Sequence, residues 1–305
     1  MTGSDQNEAA VLRPNLYILG APKCGTSTLA SWLGQHPEIF VSSEKEPHYF
    51  YSPYPQKMSL TDYEKLFSAS QSTDQYRAEA SVWYLFGKTA VPKIIDYSPQ
   101  SKFIVCLRNP VEMSPSLHSQ TLFIGRELEA DFATAWALSE RRSQGFEDKV
   151  FGFKGGDVSC MAYKQTCMLG DQIAHLLTQV GRERVHFVLL EDMAARPQQT
   201  WQQVLGFLQL SDAMAIDFKA ENSAKKRRFI GLQRLTLFLQ NAKRSVGFKK
   251  RFGLLAFFNR RNIVPEPYSS PPPALVREMR AAFSADIERL SELIGRDLSH
   301  WVRGE

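Results

Sequence analysis

The chain has little of what marks a membrane-spanning, secreted or disulfide-built protein. No run of about eighteen apolar residues occurs, which speaks against a transmembrane helix. The opening MTGSDQNEAAVLRP has neither the basic start nor the apolar core of a secretory signal. Four cysteines in 305 residues are too few for a disulfide scaffold. Cys24, Cys106, Cys160 and Cys167 also lack zinc-ligand spacing, so they are expected as reduced thiols in a cytosol-like compartment. Hydrophobic residues at 43% and charged residues at 23% leave no place for extended disorder or a fibrous repeat. No internal repeat and no linker interrupts the chain. A flexible tail over 1–13 and a single domain over 14–305 follow as the simplest organisation.

Acidic residues are absent from one long stretch. Residues 225–261 hold twelve Lys or Arg and no Asp or Glu. The remaining 25 basic residues face 32 acidic ones, so the rest of the chain sums to −7 although the whole is +5. Leu, Phe and Val are interleaved with the cations, as in LTLFLQNAKRSVGFKKRFGLLAFF. Either this is an amphipathic helix with a solvated basic face, or it is a surface that meets phosphate, anionic glycan or anionic lipid headgroups. No nucleic-acid module accompanies the charge, so no nucleic-acid partner is expected.

What is present reads as α/β. Asn15–Gly20, Ser101–Arg108 and Val185–Leu190 are short apolar runs of the buried-strand kind, with weaker strand signals at Ile39–Val41 and Arg77–Ser81. Helical spacing covers Thr26–Gln35, the stretch after Asn109-Pro110, 130–142, 161–180, 198–209 and a final helix from about Ala274. Strands alternating with helices predict a P-loop-like, three-layer fold with a mainly parallel central sheet flanked by helices.

Between the first strand and first helix stands Gly20-Ala-Pro-Lys23-Cys24-Gly25-Thr26-Ser27-Thr28. Gly25 lets the backbone approach a ligand closely. Residues 26–28 offer N–H groups at the positive end of a helix dipole, and three hydroxyls add donors. The segment is therefore expected to cradle a phosphate. Gly20 and Gly25 have the spacing of the G-x-x-x-x-G-K-[ST] nucleotide loop. Its lysine is missing, since Thr26 follows Gly25 and Lys23 lies inside the loop. The second strong strand ends in Arg108 rather than the Asp that organises Mg²⁺. A nucleotide with two separated phosphate-like groups and no required metal fits this pattern better than Mg-ATP.

On these residues the chain resembles the sulfotransferases that use 3′-phosphoadenosine 5′-phosphosulfate (PAPS). It is most similar to the heparan-sulfate sulfotransferase-like branch and its bacterial relatives. PKCGTST is similar to the family's 5′-phosphosulfate loop, and LRNPVEMSPS to its 3′-phosphate segment, with Arg108 at the start and Ser116 eight residues later. The resemblance covers roughly 14–210 and 264–301. It implies that Lys23, Cys24, Gly25, Thr26, Ser27 and Thr28 hold the 5′ end of PAPS and Arg108 and Ser116 the 3′-phosphate. It also implies Lys23 as the cation on the leaving phosphate and adenosine 3′,5′-bisphosphate (PAP) as product. Glu46, in SEKEPHYF, matches the catalytic glutamate of that branch, and His48 a nearby histidine that competes for the role of base.

The match has departures. Met113 stands where a second Arg is usual, Pro115 interrupts the helix start, and Ala80 stands where some relatives have Lys after the position of Glu79. Glu79 is left with two roles, binding acceptor hydroxyls or pairing with Arg77. Lys225–Arg228 corresponds loosely to a carboxyl-side loop that closes over the nucleotide. The acceptor implied is a glycan or glycolipid, with 225–261 at the acceptor site or on an anionic membrane surface. The expected location is cytoplasmic, peripheral to a membrane. A P-loop phosphotransferase or kinase, and a sulfotransferase of small metabolites, stay as alternatives.

Overall fold

Leu16–Gly20 (β1) and Lys102–Leu107 (β4) bury almost every side chain, so both faces of these strands are covered. A computed structural model describes residues 13–55, 58–212, 214–219, 225–227, 263–265 and 270–304. Its five-stranded sheet adds Ile39–Val41 (β2), Tyr76–Ala80 (β3) and Val185–Leu189 (β5), in the order β2-β3-β1-β4-β5. Every pairing is parallel, with Tyr17 opposite Glu79 and Phe103 opposite Val185. The P-loop-like α/β fold expected from the strand–helix alternation is the observed one.

Two compact units make up the described chain. The first takes in the described residues up to Ser52, then up to Leu107, and again from His175 to Lys219, and holds the whole sheet. Thr26–Leu33 (α1) packs on β1, β2 and β3, and Pro197–Leu208 on β5. Leu60–Lys65 (α2) and Ala90–Tyr97 (α3) belong to the same unit. The connection after β1 runs to β2 on one side and that after β4 runs to β5 on the other, which places a topological switch point between the carboxyl ends of β1 and β4.

The second unit is built from Pro53–Pro55, Arg108–Ala174 and the described residues after 222. Pro110–Ile124 (α4) packs on the long helix Pro273–Ile294. Its interior carries an ion pair: Arg142 and Glu127 are both fully buried, 2.7 Å apart at Nη1 and Oε2. Tyr163 donates to the same carboxylate oxygen at 2.7 Å. Lys225–Arg227 and Ile263–Pro265 form a small antiparallel pair. The rest of the basic 225–261 stretch, Arg228 included, lies outside the described residues.

Candidate active site

The loop leaving β1 is tied down at both ends. Ala21 N–H donates to the Cys106 carbonyl at 2.9 Å, and Leu29 N–H to the Gly25 carbonyl at 3.0 Å as α1 begins. Gly25 is the N-cap with φ +88°, and a Cβ there would lie 2.8 Å from Leu190 Cδ1. Only glycine meets both conditions. It has no side chain with which to cap α1, whose N–H groups open toward the loop. Thr26 and Thr28 are buried, while Lys23 and Ser27 are half-buried. Cys24 is fully buried with its thiol toward the Pro22 carbonyl, so it presents no side chain to a ligand.

Glu46 and His48 lie on the loop after β2, and both have left-handed backbones, φ +60° and +52°. Lys23 does too, at +65°. Non-glycine residues rarely adopt this conformation, and when several do so together the surroundings must hold them there. Three hydrogen bonds hold this loop to the end of β3: Glu46 N–H to the Ala80 carbonyl (2.9 Å), His48 N–H to Ser81 Oγ (3.1 Å) and Phe50 N–H to Tyr84 Oη (3.2 Å).

The side chains form one connected run. Lys45 Nζ donates to Ser27 Oγ at 2.6 Å and to Glu46 Oε1 at 2.9 Å. His48 Nε2 lies 3.4 Å from Glu46 Oε2, while its buried Nδ1 has no hydrogen-bond partner among the described residues. Burial pushes the Glu46 carboxyl up, but the His48 hydrogen bond and the Lys45 charge outweigh it and hold the group down to about 2. The phosphate-type loop and both candidate bases thus share one hydrogen-bonded chain. The sequence placed Lys45 near Glu46. Its contact with Ser27, across eighteen residues, has no sequence signal.

Glu79 takes neither of its two expected roles. It is fully buried, so acceptor hydroxyls do not reach it, and Arg77 bonds instead to the Arg13 and Asp74 carbonyls. Its carboxylate accepts from Tyr63 Oη at 2.8 Å and from Ser81 Oγ. Burial raises it to about 7, above the lowering effect of the Ser81, Tyr63 and Tyr84 hydroxyls.

Arg108 and Ser116 belong to the second unit. Arg108 directly follows β4, and its Nη2 donates to Glu112 Oε2 at 3.0 Å. Asn109 caps α4 by accepting from Val111 N–H. Arg108, Glu112 and Ser116 are spaced four and four, so the two helical members share one side of α4. Glu112 is 59% exposed, so its pairing with Arg108 contributes little to stability. Met113, where a second arginine is usual, is fully buried. Pro115 lies inside α4 without ending it.

Residues 13–229 match the family of the sulfotransferase domain. The chain is 33% identical over 105 residues to the membrane-associated sulfotransferase kil1 of Dictyostelium discoideum, across 34% of this chain and 22% of that protein. It is 25% identical over 260 residues to carbohydrate sulfotransferase 15 of Rattus norvegicus, across 65% of this chain and 44% of that one. With heparan sulfate glucosamine 3-O-sulfotransferase 6 of Homo sapiens it shares 33% identity over 109 residues, 36% of this chain and 31% of the other. It therefore spans less than half the length of these three relatives. The crystal structure of a sulfotransferase from Alicyclobacillus acidocaldarius matches it with a TM-score of 0.69 and 26% identity, covering 95% of this chain and 98% of that one.

Proposed function

The chain belongs to the sulfotransferase family, and we propose that it moves a sulfuryl group from PAPS to a hydroxyl or amine of a carbohydrate or glycolipid acceptor. PAPS supplies the sulfuryl group. The bond between sulfur and the phosphate oxygen breaks, a bond from sulfur to the acceptor atom forms, and PAP leaves. The acceptor's proton passes to Glu46. Lys23 sets a cation where the leaving phosphate gains charge. The N–H groups at the start of α1 and the hydroxyls of Thr26, Ser27 and Thr28 take the 5′ end. Arg108 and Ser116 take the 3′-phosphate, the arginine by charge-assisted hydrogen bonds.

The observation that carries this reading is the run from Ser27 through Lys45 to Glu46 and His48. It joins a phosphate-binding loop to a carboxylate that is ionised at neutral pH. Glu46 is preferred over His48 as base because its own backbone and both its oxygens are fixed. Turnover of PAPS by Lys23→Ala and Glu46→Ala tests the scheme. Each is expected to lose roughly 10²–10⁴-fold in kcat, with PAP affinity kept in Glu46→Ala. A loss of PAP affinity in Glu46→Ala moves that residue from base to binding role.

The glycan or glycolipid acceptor is supported by the carbohydrate-modifying relatives and by the basic, Phe-rich 225–261 segment. Among the described residues no helix is long and apolar enough to cross a membrane. A peripheral approach to anionic lipid is tested by sedimentation with anionic and neutral vesicles at low salt. Equal pelleting removes it.

A further inference from the structure

The loop that carries Glu46 and His48 rests on a buried carboxylate that the reaction scheme does not use. Glu79, on β3, is fully buried yet bonded on both carboxyl oxygens. Tyr63 on α2 donates to Oε2 and Ser81 donates to Oε1. Ser81 passes the constraint on. Its Oγ, with the proton committed to Glu79, accepts the N–H of His48. Nearby, Tyr84 Oη accepts the N–H of Phe50. A serine hydroxyl free to rotate offers its lone pairs in any direction. One whose proton is fixed offers them in a defined direction.

We propose that Glu79 is a positioning residue for the Glu46–His48 pair: through Ser81 it holds the loop backbone at His48 in its left-handed course and so sets where the paired side chains point. This rests on the reading of that pair as the proton acceptor. The cost of keeping a carboxyl there supports it. A group desolvated enough to titrate near 7 is a poor choice for stability alone, and apolar packing of the same volume serves a core better. The groups facing it are Tyr17 from β1, Tyr63 from α2 and Tyr84 from the segment after β3, each held protonated by burial. All three are neutral, and of them Tyr63 donates to the carboxylate while Tyr17 donates to the Pro14 carbonyl.

Three variants of the full chain test this: Ser81→Ala, Glu79→Leu and Glu79→Gln. Misplaced catalytic groups cost roughly 10–10²-fold, so Ser81→Ala and Glu79→Leu are expected to lose about that much in kcat, with PAP affinity by calorimetry held within about twofold. Glu79→Gln keeps an acceptor oxygen and recovers most of the rate. A kcat within about twofold of wild type in folded Ser81→Ala overturns the proposal, and so does PAP affinity falling in step with kcat. Ser81→Ala removes one hydroxyl and serves where Glu79→Leu does not fold. A second readout is independent of which residue is the base. The His48 ring resonances, assigned by their loss in His48→Asn, are expected to move in Ser81→Ala and return in Glu79→Gln. Unmoved resonances overturn the positioning role even with Glu46 as base. Moved resonances beside a fully active Glu46→Gln uphold it and overturn the base assignment alone.

Discussion

Replacing Glu79 by Gln is expected to change how stability depends on pH. In the folded chain this carboxyl titrates at about 7 against an ordinary 4.5, because burial disfavours its charged form. Between those values the native state holds a proton that the unfolded state has released. Stability is therefore fully present below the unfolded value and is lost as pH rises through the folded one. A difference of about 2.5 pH units corresponds to at most about 3 kcal/mol. For a unit of this size that is roughly 6–12 °C in Tm. Burial of His186 lowers its imidazole to about 4, which adds a slope of opposite sign over 4 to 6.5. Glu46 acts elsewhere, its contribution being lost only as pH falls from 4.5 through about 2. The measurement is thus a difference: calorimetric Tm of wild type and Glu79→Gln from pH 5 to 8. The variant is expected to gain on the wild type as pH rises from 5 and to level off above about 7. Parallel curves refute the placement of a desolvated carboxyl at the end of β3.

Lys45→Met removes one of the groups that hold the Glu46 carboxyl down, so the acid limb of kcat/KM moves to higher pH; an unmoved limb shows that Glu46 is not the titrating base. Arg108→Ala is expected to weaken PAP binding by roughly 10–150-fold, the worth of hydrogen bonds to a charged group. Glu112→Gln, which removes the charge paired with the guanidinium, is expected to leave PAP affinity equal or tighter by calorimetry, and weaker binding would show that the pair orients the arginine rather than competing for it.

Much of this architecture is legible in the residues because it is local. β1, β4 and β5 are continuous apolar runs, and a strand buried on both faces reads that way, so their ends differ from expectation by one residue. The single helix expected over 130–142 is instead Phe132–Ala137 and Ser139–Ser143. Arg142 reads as a surface residue, but it is fully buried against Glu127, and that pairing is tertiary. The stretch 161–180 also divides, at Cys167. There the N–H groups of Gly170 and Asp171 are taken by Asp286, which lies more than a hundred residues away in the sequence. Glu79 shows the same limit. Strand alternation sets it on the face of Arg77, and the sequence carries no sign that Tyr63 and Tyr84 cover it. Glu112, by contrast, was within reach, since an acidic residue four after an arginine at a helix start is an ordinary pairing signal.

The strongest ground for locating chemistry on these loops is independent of any relative. Among the described residues five non-glycine residues have left-handed backbones: Lys23, Glu46, His48, Lys149 and Gln209. Gln209 has a structural account, since it closes the helix Pro197–Leu208 as a left-handed cap. Lys149 is exposed and its side chain pairs with Glu129. The other three end no helix. They are the residues proposed above as the cation and the competing bases, and strain of about 1–3 kcal/mol at each has to be held by the surroundings, which at Glu46 and His48 include backbone bonds to Ala80 and Ser81. A loop serving only as a connection relaxes by accepting glycine at such positions. One that carries lysine, glutamate and histidine there, with a buried imidazole nitrogen that has no hydrogen-bond partner among the described residues, is a place to look for chemistry.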